Sequence, residues 1–120
     1  YNKTIQSDTI SLYGTGKESR DFIYILDLIA IVDIIIHKAK FEGEVYNVAN
    51  GEEIQIKDTV DIFIKECGWK GNVTFSGKDK TGDPLNWKAD IQKIRSLGYK
   101  QKYNFIKGVN NYCQWLKGLK

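Results

Sequence analysis

A chain of 120 residues, 42% of them hydrophobic, is long enough for one domain with a core of its own, so residues 1–120 are read as a single domain. No apolar run reaches transmembrane length and none reads as a secretory leader, so a cytoplasmic protein without membrane contact is expected. The net charge of +3 joins an acidic first half to a basic second half, but the lysines are scattered and Arg20 and Arg95 are the only arginines, which argues against a nucleic-acid-binding face.

The chain opens on Tyr1 rather than on methionine, and this reads as a portion of a larger protein. Tyr1 to Asp8 is polar and carries no clear pattern, whereas Thr9 to Tyr13 reads as a strand. That strand runs into a turn with Gly14 and Gly16, where positive φ is tolerated. Arg20 follows on a short segment in which Phe22 and Tyr24 alternate with Asp21 and Ile23. Asp27 is placed as the N-cap of a helix over 27–40. A fixed cation between a tight turn and a helix start suits an anion, and the planar guanidinium fork matches phosphate.

The 27–40 helix has one narrow polar stripe, Asp33, His37 and Lys40, in which His37 reads as a solvated partner of Asp33. The remaining wide apolar arc has to be covered on two sides. Glu44 to Ala49 reads as a strand. Ile56, Val60, Phe63, Ile64 and Cys67 mark an amphipathic helix that Gly68 stops. Val73 to Phe75 is a short strand, and Ser76 to Trp87 is a loop holding the sole proline, Pro84. Asp90 caps a short helix, Ile91 to Leu97, and Asn104 caps a last helix with Phe105, Val109, Tyr112, Cys113 and Leu116 inward. The order is that of an α/β fold, a small mixed sheet with about four helices. Cys67 and Cys113 both fall in apolar helical patterns and read as buried free thiols, in keeping with a reducing compartment.

Gly14-Thr15-Gly16-Lys17 invites comparison with a phosphate-binding P-loop. The match fails, because Ser11 stands at the first glycine and Glu18 at the hydroxyl that would hold Mg²⁺. No metal site is expected.

Three ordered motifs carry a resemblance. They are Gly14-x-Gly16-x-x-x-Arg20-Asp21-Phe22-x-Tyr24-x-x-Asp27, then Gly43-Glu44-Val45-Tyr46-Asn47-Val48-Ala49-Asn50-Gly51, then Gly82-Asp83 followed by Asp90-Ile91-Gln92-Lys93 and Leu97-Gly98-Tyr99. Their order and spacing resemble the C-terminal portion of extended short-chain dehydrogenases, the NAD-dependent nucleotide-diphosphate-sugar epimerase and dehydratase family. The resemblance covers about residues 9 to 117.

The resemblance implies the C-terminal part of a Rossmann-type enzyme that oxidises a sugar hydroxyl with NAD(P), then epimerises, dehydrates or re-reduces it, usually toward surface polysaccharide. It places Arg20 on the sugar nucleotide's diphosphate, Lys80 where the family often has a second phosphate-binding arginine, Asp83 in the same loop, and Asn47 as the family asparagine, with a structural hydrogen bond its expected role. Tyr13, Trp87 and Tyr99 read as core aromatics or as stacking partners for a base.

The family's glycine-rich dinucleotide fingerprint is missing, and its Tyr-x-x-x-Lys pair is matched only by chance spacings at Tyr13/Lys17 and Tyr103/Lys107. The expected partners are therefore a nucleotide diphosphate sugar, an N-terminal NAD-binding domain lying outside this chain, and a second copy of the chain; no cofactor is expected to bind this chain alone. The competing expectations are a stand-alone nucleotide-sugar-binding module and a structural domain in which Arg20 only salt-bridges Asp21 or Glu18.

Overall fold

Isoleucine and valine crowd the segment after Tyr24, and length decides between strand and helix in favour of a helix. A computed structural model of the chain, describing residues 6–78 and 81–118, shows that helix as α1, Ile25–Lys38. The other described helices are α2 (Ile56–Cys67), α3 (Gln92–Ser96) and α4 (Phe105–Gly118). Strands β1 (Thr9–Leu12) and β4 (Asn72–Phe75) pair in parallel, with Ile10 opposite Val73. Strands β2 (Ser19–Arg20) and β3 (Ile54–Gln55) pair antiparallel, with Arg20 opposite Ile54. The α/β class holds, with these four helices among the described residues; there, the single small sheet expected from the sequence is two separate two-stranded pairs.

The core forms where α1 meets α3. Ile31, Ala49, Ile91, Ile94 and Tyr99 are buried together, with Ile23, Ile34, Val48 and Leu97 packed around them. Asn50 is buried at the edge of this cluster and is fully used. Its Nδ2 donates to Phe22 O at 2.8 Å and its Oδ1 accepts from the Tyr99 hydroxyl at 3.1 Å. Burial pushes the Tyr99 phenol up to about 12, with the Asp27 carboxylate adding to the shift.

Several sequence expectations change. Helix α1 begins two residues earlier than expected, with Tyr24 at the N-cap, so Asp27 is not a cap but a buried residue of the first turn. Its oxygens accept from Lys102 N at 3.1 Å and Tyr103 N at 2.9 Å, tying α1 to the segment that leads into α4. Helix α1 also ends at Lys38, which removes Lys40 from the polar stripe; Asp33 and His37 do face each other, 3.4 Å apart and exposed.

Residues 44–49 form no strand among the described residues. Instead Lys93 Nζ donates to Val45 O, and the side chain of Asn47 donates to Asp90 O at 3.0 Å. Cys67 and Cys113 are not free thiols but a disulfide joining the end of α2 to α4, with Cα atoms 5.2 Å apart. The cysteines therefore lend no support to a reducing compartment. Among the described residues, no helix is long and apolar enough to cross a membrane.

Gly68 ends α2 at φ 72°, and Asn104 caps α4, its Oδ1 accepting from Lys107 N at 2.9 Å, both as expected. Asp90 is not the expected cap of α3: the helix starts one residue later, with Ile91 at the N-cap, and Asp90 Oδ1 only accepts from Gln92 N. The molecule is a plate of 51 × 37 × 17 Å. Its radius of gyration of 16.8 Å exceeds the roughly 14 Å typical of a compact domain of this length. Ile25, Ile29, Val32 and Ile36, spaced along one face of α1, are each about half exposed.

Candidate functional site: the Arg20 cleft

The turn after β1 is built around Glu18. Gly14 and Gly16 take φ of 101° and 82°, and a Cβ on Gly14 would meet the Glu18 carboxylate at 2.9 Å. Glu18 accepts from Thr15 N at 2.8 Å, from the Thr15 hydroxyl at 3.0 Å and from Gly16 N at 2.8 Å. The Thr15 N–H is the largest influence holding the Glu18 carboxyl below its ordinary pKa. Glu18 O and Gly16 O then accept from Ile56 N and Lys57 N, so the N-terminus of α2 is docked on the same turn.

Strand β2 continues from this anchor. Ser19 is buried, its N–H donates to Leu85 O at 2.8 Å, and its hydroxyl contacts Glu53 and Asn86. Arg20 is half-buried. Its Nη1 donates to Ser19 O at 2.7 Å and to Pro84 O at 2.9 Å, and its guanidinium lies 5.9 Å from the centroid of Trp87. Among the described residues, the hydrogen bonds of the guanidinium all run through Nη1, so that one nitrogen fixes the fork.

Around this side chain is a cleft of about 440 Å³ lined by Tyr13, Gly14, Glu18, Arg20, Ile56, Asp83 and Leu85. Its size suits a small polar ligand. The hydrogen bonds of Arg20 run to Ser19 O and Pro84 O and not to Glu18 or Asp21 among the described residues. The Glu18 carboxylate is engaged by the turn, and Asp21 accepts from Asn50 N, Gly51 N and Ala89 N at 3.0, 3.0 and 3.2 Å.

Of the sequence-predicted site residues, Arg20 and Asp83 meet in the cleft. Asn47 does not line it; its hydrogen bond to Asp90 O is the structural one expected. Lys80 lies outside the described residues. Tyr13 and Trp87 are exposed beside Arg20, while Tyr99 is core. Sequence reasoning missed Ser19 and Ile56, and it took Glu18 and Asp21 only as salt-bridge partners. Ser19, Ile56 and Asp21 take their partners from distant segments, for which a sequence has no local signal, whereas Glu18 closes its own turn through Thr15 and Gly16.

A protein-family model described as GDP-mannose 4,6 dehydratase matches residues 2–112. The chain belongs to that family. An uncharacterised UDP-glucose epimerase of Bacillus subtilis is 29% identical over 116 residues, covering 96% of this chain and 36% of the relative. A variant of UDP-glucuronic acid 4-epimerase from Bacillus cereus, solved with UDP-4-deoxy-4-fluoro-glucuronic acid and NAD, superposes with a TM-score of 0.83 at 27% identity, covering 98% of this chain and 38% of that one. RMD of Pseudomonas aeruginosa, solved with NADPH, shares the fold at a TM-score of 0.84 and 13% identity, over 98% of this chain and 39% of its own. The chain thus spans about a third of the length of the curated relatives it matches.

The Gly14–Gly16 turn does not fit the pyrophosphate of the dinucleotide those structures hold. A pyrophosphate needs free turn amides at the start of a helix. In the Gly14–Gly16 turn, the Thr15 and Gly16 amides are taken by Glu18, and a strand, not a helix, follows. Among the described residues, no group of three His, Cys, Asp or Glu side chains is placed to hold a metal.

Proposed function

We propose that this chain is the C-terminal, substrate-binding portion of an NAD(P)-dependent nucleotide-diphosphate-sugar epimerase or dehydratase. In this reading Arg20 grips the diphosphate, with Asp83 and Lys80 in the neighbouring loop. The observation that carries the reading is the Arg20 fork, anchored through one nitrogen by Ser19 O and Pro84 O beside an open cleft. A diphosphate offers paired oxygens to such a fork, in a geometry that a lysine ammonium cannot match.

Oxidation of the sugar and the dinucleotide site belong to an N-terminal domain that this chain does not supply, and the exposed face of α1 is where further protein packs. The complete enzyme works on sugar nucleotides for surface polysaccharide. The test is to add GDP, UDP and dTDP in turn to the isotope-labelled chain and follow its backbone amides. Saturable shifts at 13–20 and 83–87 are expected. Shifts centred elsewhere, or none at millimolar nucleotide, would overturn the assignment.

A further inference from the structure

Asp21 directly follows the arginine of the cleft, yet its carboxylate is spent on three backbone N–H groups from two distant segments, Asn50 and Gly51 on one and Ala89 on the other. The second segment matters to the cleft. Residues 81–88 are all exposed and carry no helix or strand, so little packing fixes their position. Yet Asp83 and Leu85 of that segment form one wall of the cleft. The segment is held to β2 by successive ties: Arg20 Nη1 to Pro84 O, Ser19 N to Leu85 O, and Ala89 N to Asp21 Oδ2. Arg20 and Asp21 thus clamp opposite ends of one stretch, and the aim of the guanidinium depends on the carbonyl that the clamp holds in front of it.

We propose that Asp21 is a positioning residue: by fixing Ala89 and the Asn50–Gly51 turn against β2 it holds the 84–89 segment, and through Pro84 O it sets where the guanidinium of Arg20 points. The proposal rests on the nucleotide-binding reading of the cleft. An amide at this position can accept on one oxygen only, whereas the carboxylate accepts on both. Asp21→Asn therefore loses at least one tie while keeping its shape.

The test is a double-mutant cycle on the chain, with GDP, UDP and dTDP as probes, measured well below each variant's melting temperature. Asp21→Asn is expected to weaken nucleotide binding about tenfold when Arg20 is present, the scale of one impaired charged hydrogen bond. In the Arg20→Ala background the same change is expected to have less than about a twofold effect, because Asp21 acts through Arg20. Asp21→Glu, which retains the charge, should fall between, and it carries the cycle if Asp21→Asn does not fold. A lower melting temperature with unchanged affinity would show a purely structural role and overturn the proposal. So would an equal loss in both backgrounds. If Arg20→Ala itself leaves affinity unchanged, the nucleotide reading fails first; if only the Asp21 variants are silent, the positioning role alone fails.

Discussion

Removing the tie between α2 and α4 tests how the plate is held together. Cys67 and Cys113 are separated by 46 residues, and the disulfide closes that loop in the unfolded chain. Loop-closure entropy for that separation comes to about 4 kcal/mol at 25 °C. The two helices keep other contacts, Phe63 near Tyr112 and Asn110 Nδ2 donating to Glu66 at 2.7 Å, so a reduced chain retains the pairing but loses the entropic constraint. At about 2.1 cal/mol/K per residue, a chain of this length unfolds with an entropy of roughly 250 cal/mol/K, so the loss lowers the melting temperature by about 16 °C. The assay is calorimetry of the oxidised protein, the reduced protein and the Cys67→Ala/Cys113→Ala variant, with thiols counted in denaturant. The reasoning is refuted if the unreduced protein titrates two free thiols, or if all three forms melt within about 2 °C of one another, well inside the shift expected for this loop.

Three further predictions concern other parts of the account. The Tyr99 phenol ionises at about 12 in the folded chain, against an ordinary value of 10, so the folded state holds its proton more tightly. Stability is then fully present below pH 10 and falls by about 2 to 3 kcal/mol as pH rises to 12, a loss absent in Tyr99→Phe and readable by urea melts at stepped pH. The chain alone binds no NAD, and saturable quenching of Trp69, Trp87 or Trp115 by micromolar NAD would contradict this. The exposed α1 stripe drives self-association, so light scattering should show a dimer at high concentration that Ile29→Lys returns to monomer; a wild-type monomer throughout would count against it.

Much of the fold was legible because its signals are local. The periodicity of Ile56 to Cys67, the stop at Gly68 and the Asn104 cap each act within a few residues, and each is observed. The errors share a cause of the opposite kind. Asp27 looks like a cap because it opens an apolar run, but burial against Lys102 and Tyr103 recruits it into the helix instead. Residues 44–49 have the alternation of a strand, yet a strand requires a neighbour; among the described residues Val45 O instead accepts from the Lys93 ammonium, and the Asn47 side chain donates to Asp90 O. Two cysteines 46 residues apart give no hint of pairing until α2 and α4 are laid side by side. The cleft divides the same way. Arg20 was marked by its motif, and Asp21 stood in the same motif without a role; the anchoring by Glu18, Ser19 and Asp21 was not legible, because their partners come from the turn, from the segment around Leu85 and Ala89, and from Asn50 and Gly51.

Arg20 is the proposed diphosphate ligand. Calorimetric titration of wild type, Arg20→Ala and Arg20→Lys with UDP, GDP and dTDP, beside a thermal melt of each, addresses it most directly. Loss of the guanidinium is predicted to weaken nucleotide binding by about 2 to 3 kcal/mol, or roughly 30- to 150-fold, with lysine recovering only part of it. An unaltered dissociation constant in Arg20→Ala, with only the melting temperature lowered, would contradict the claim and leave Arg20 as a brace between Ser19 and Pro84.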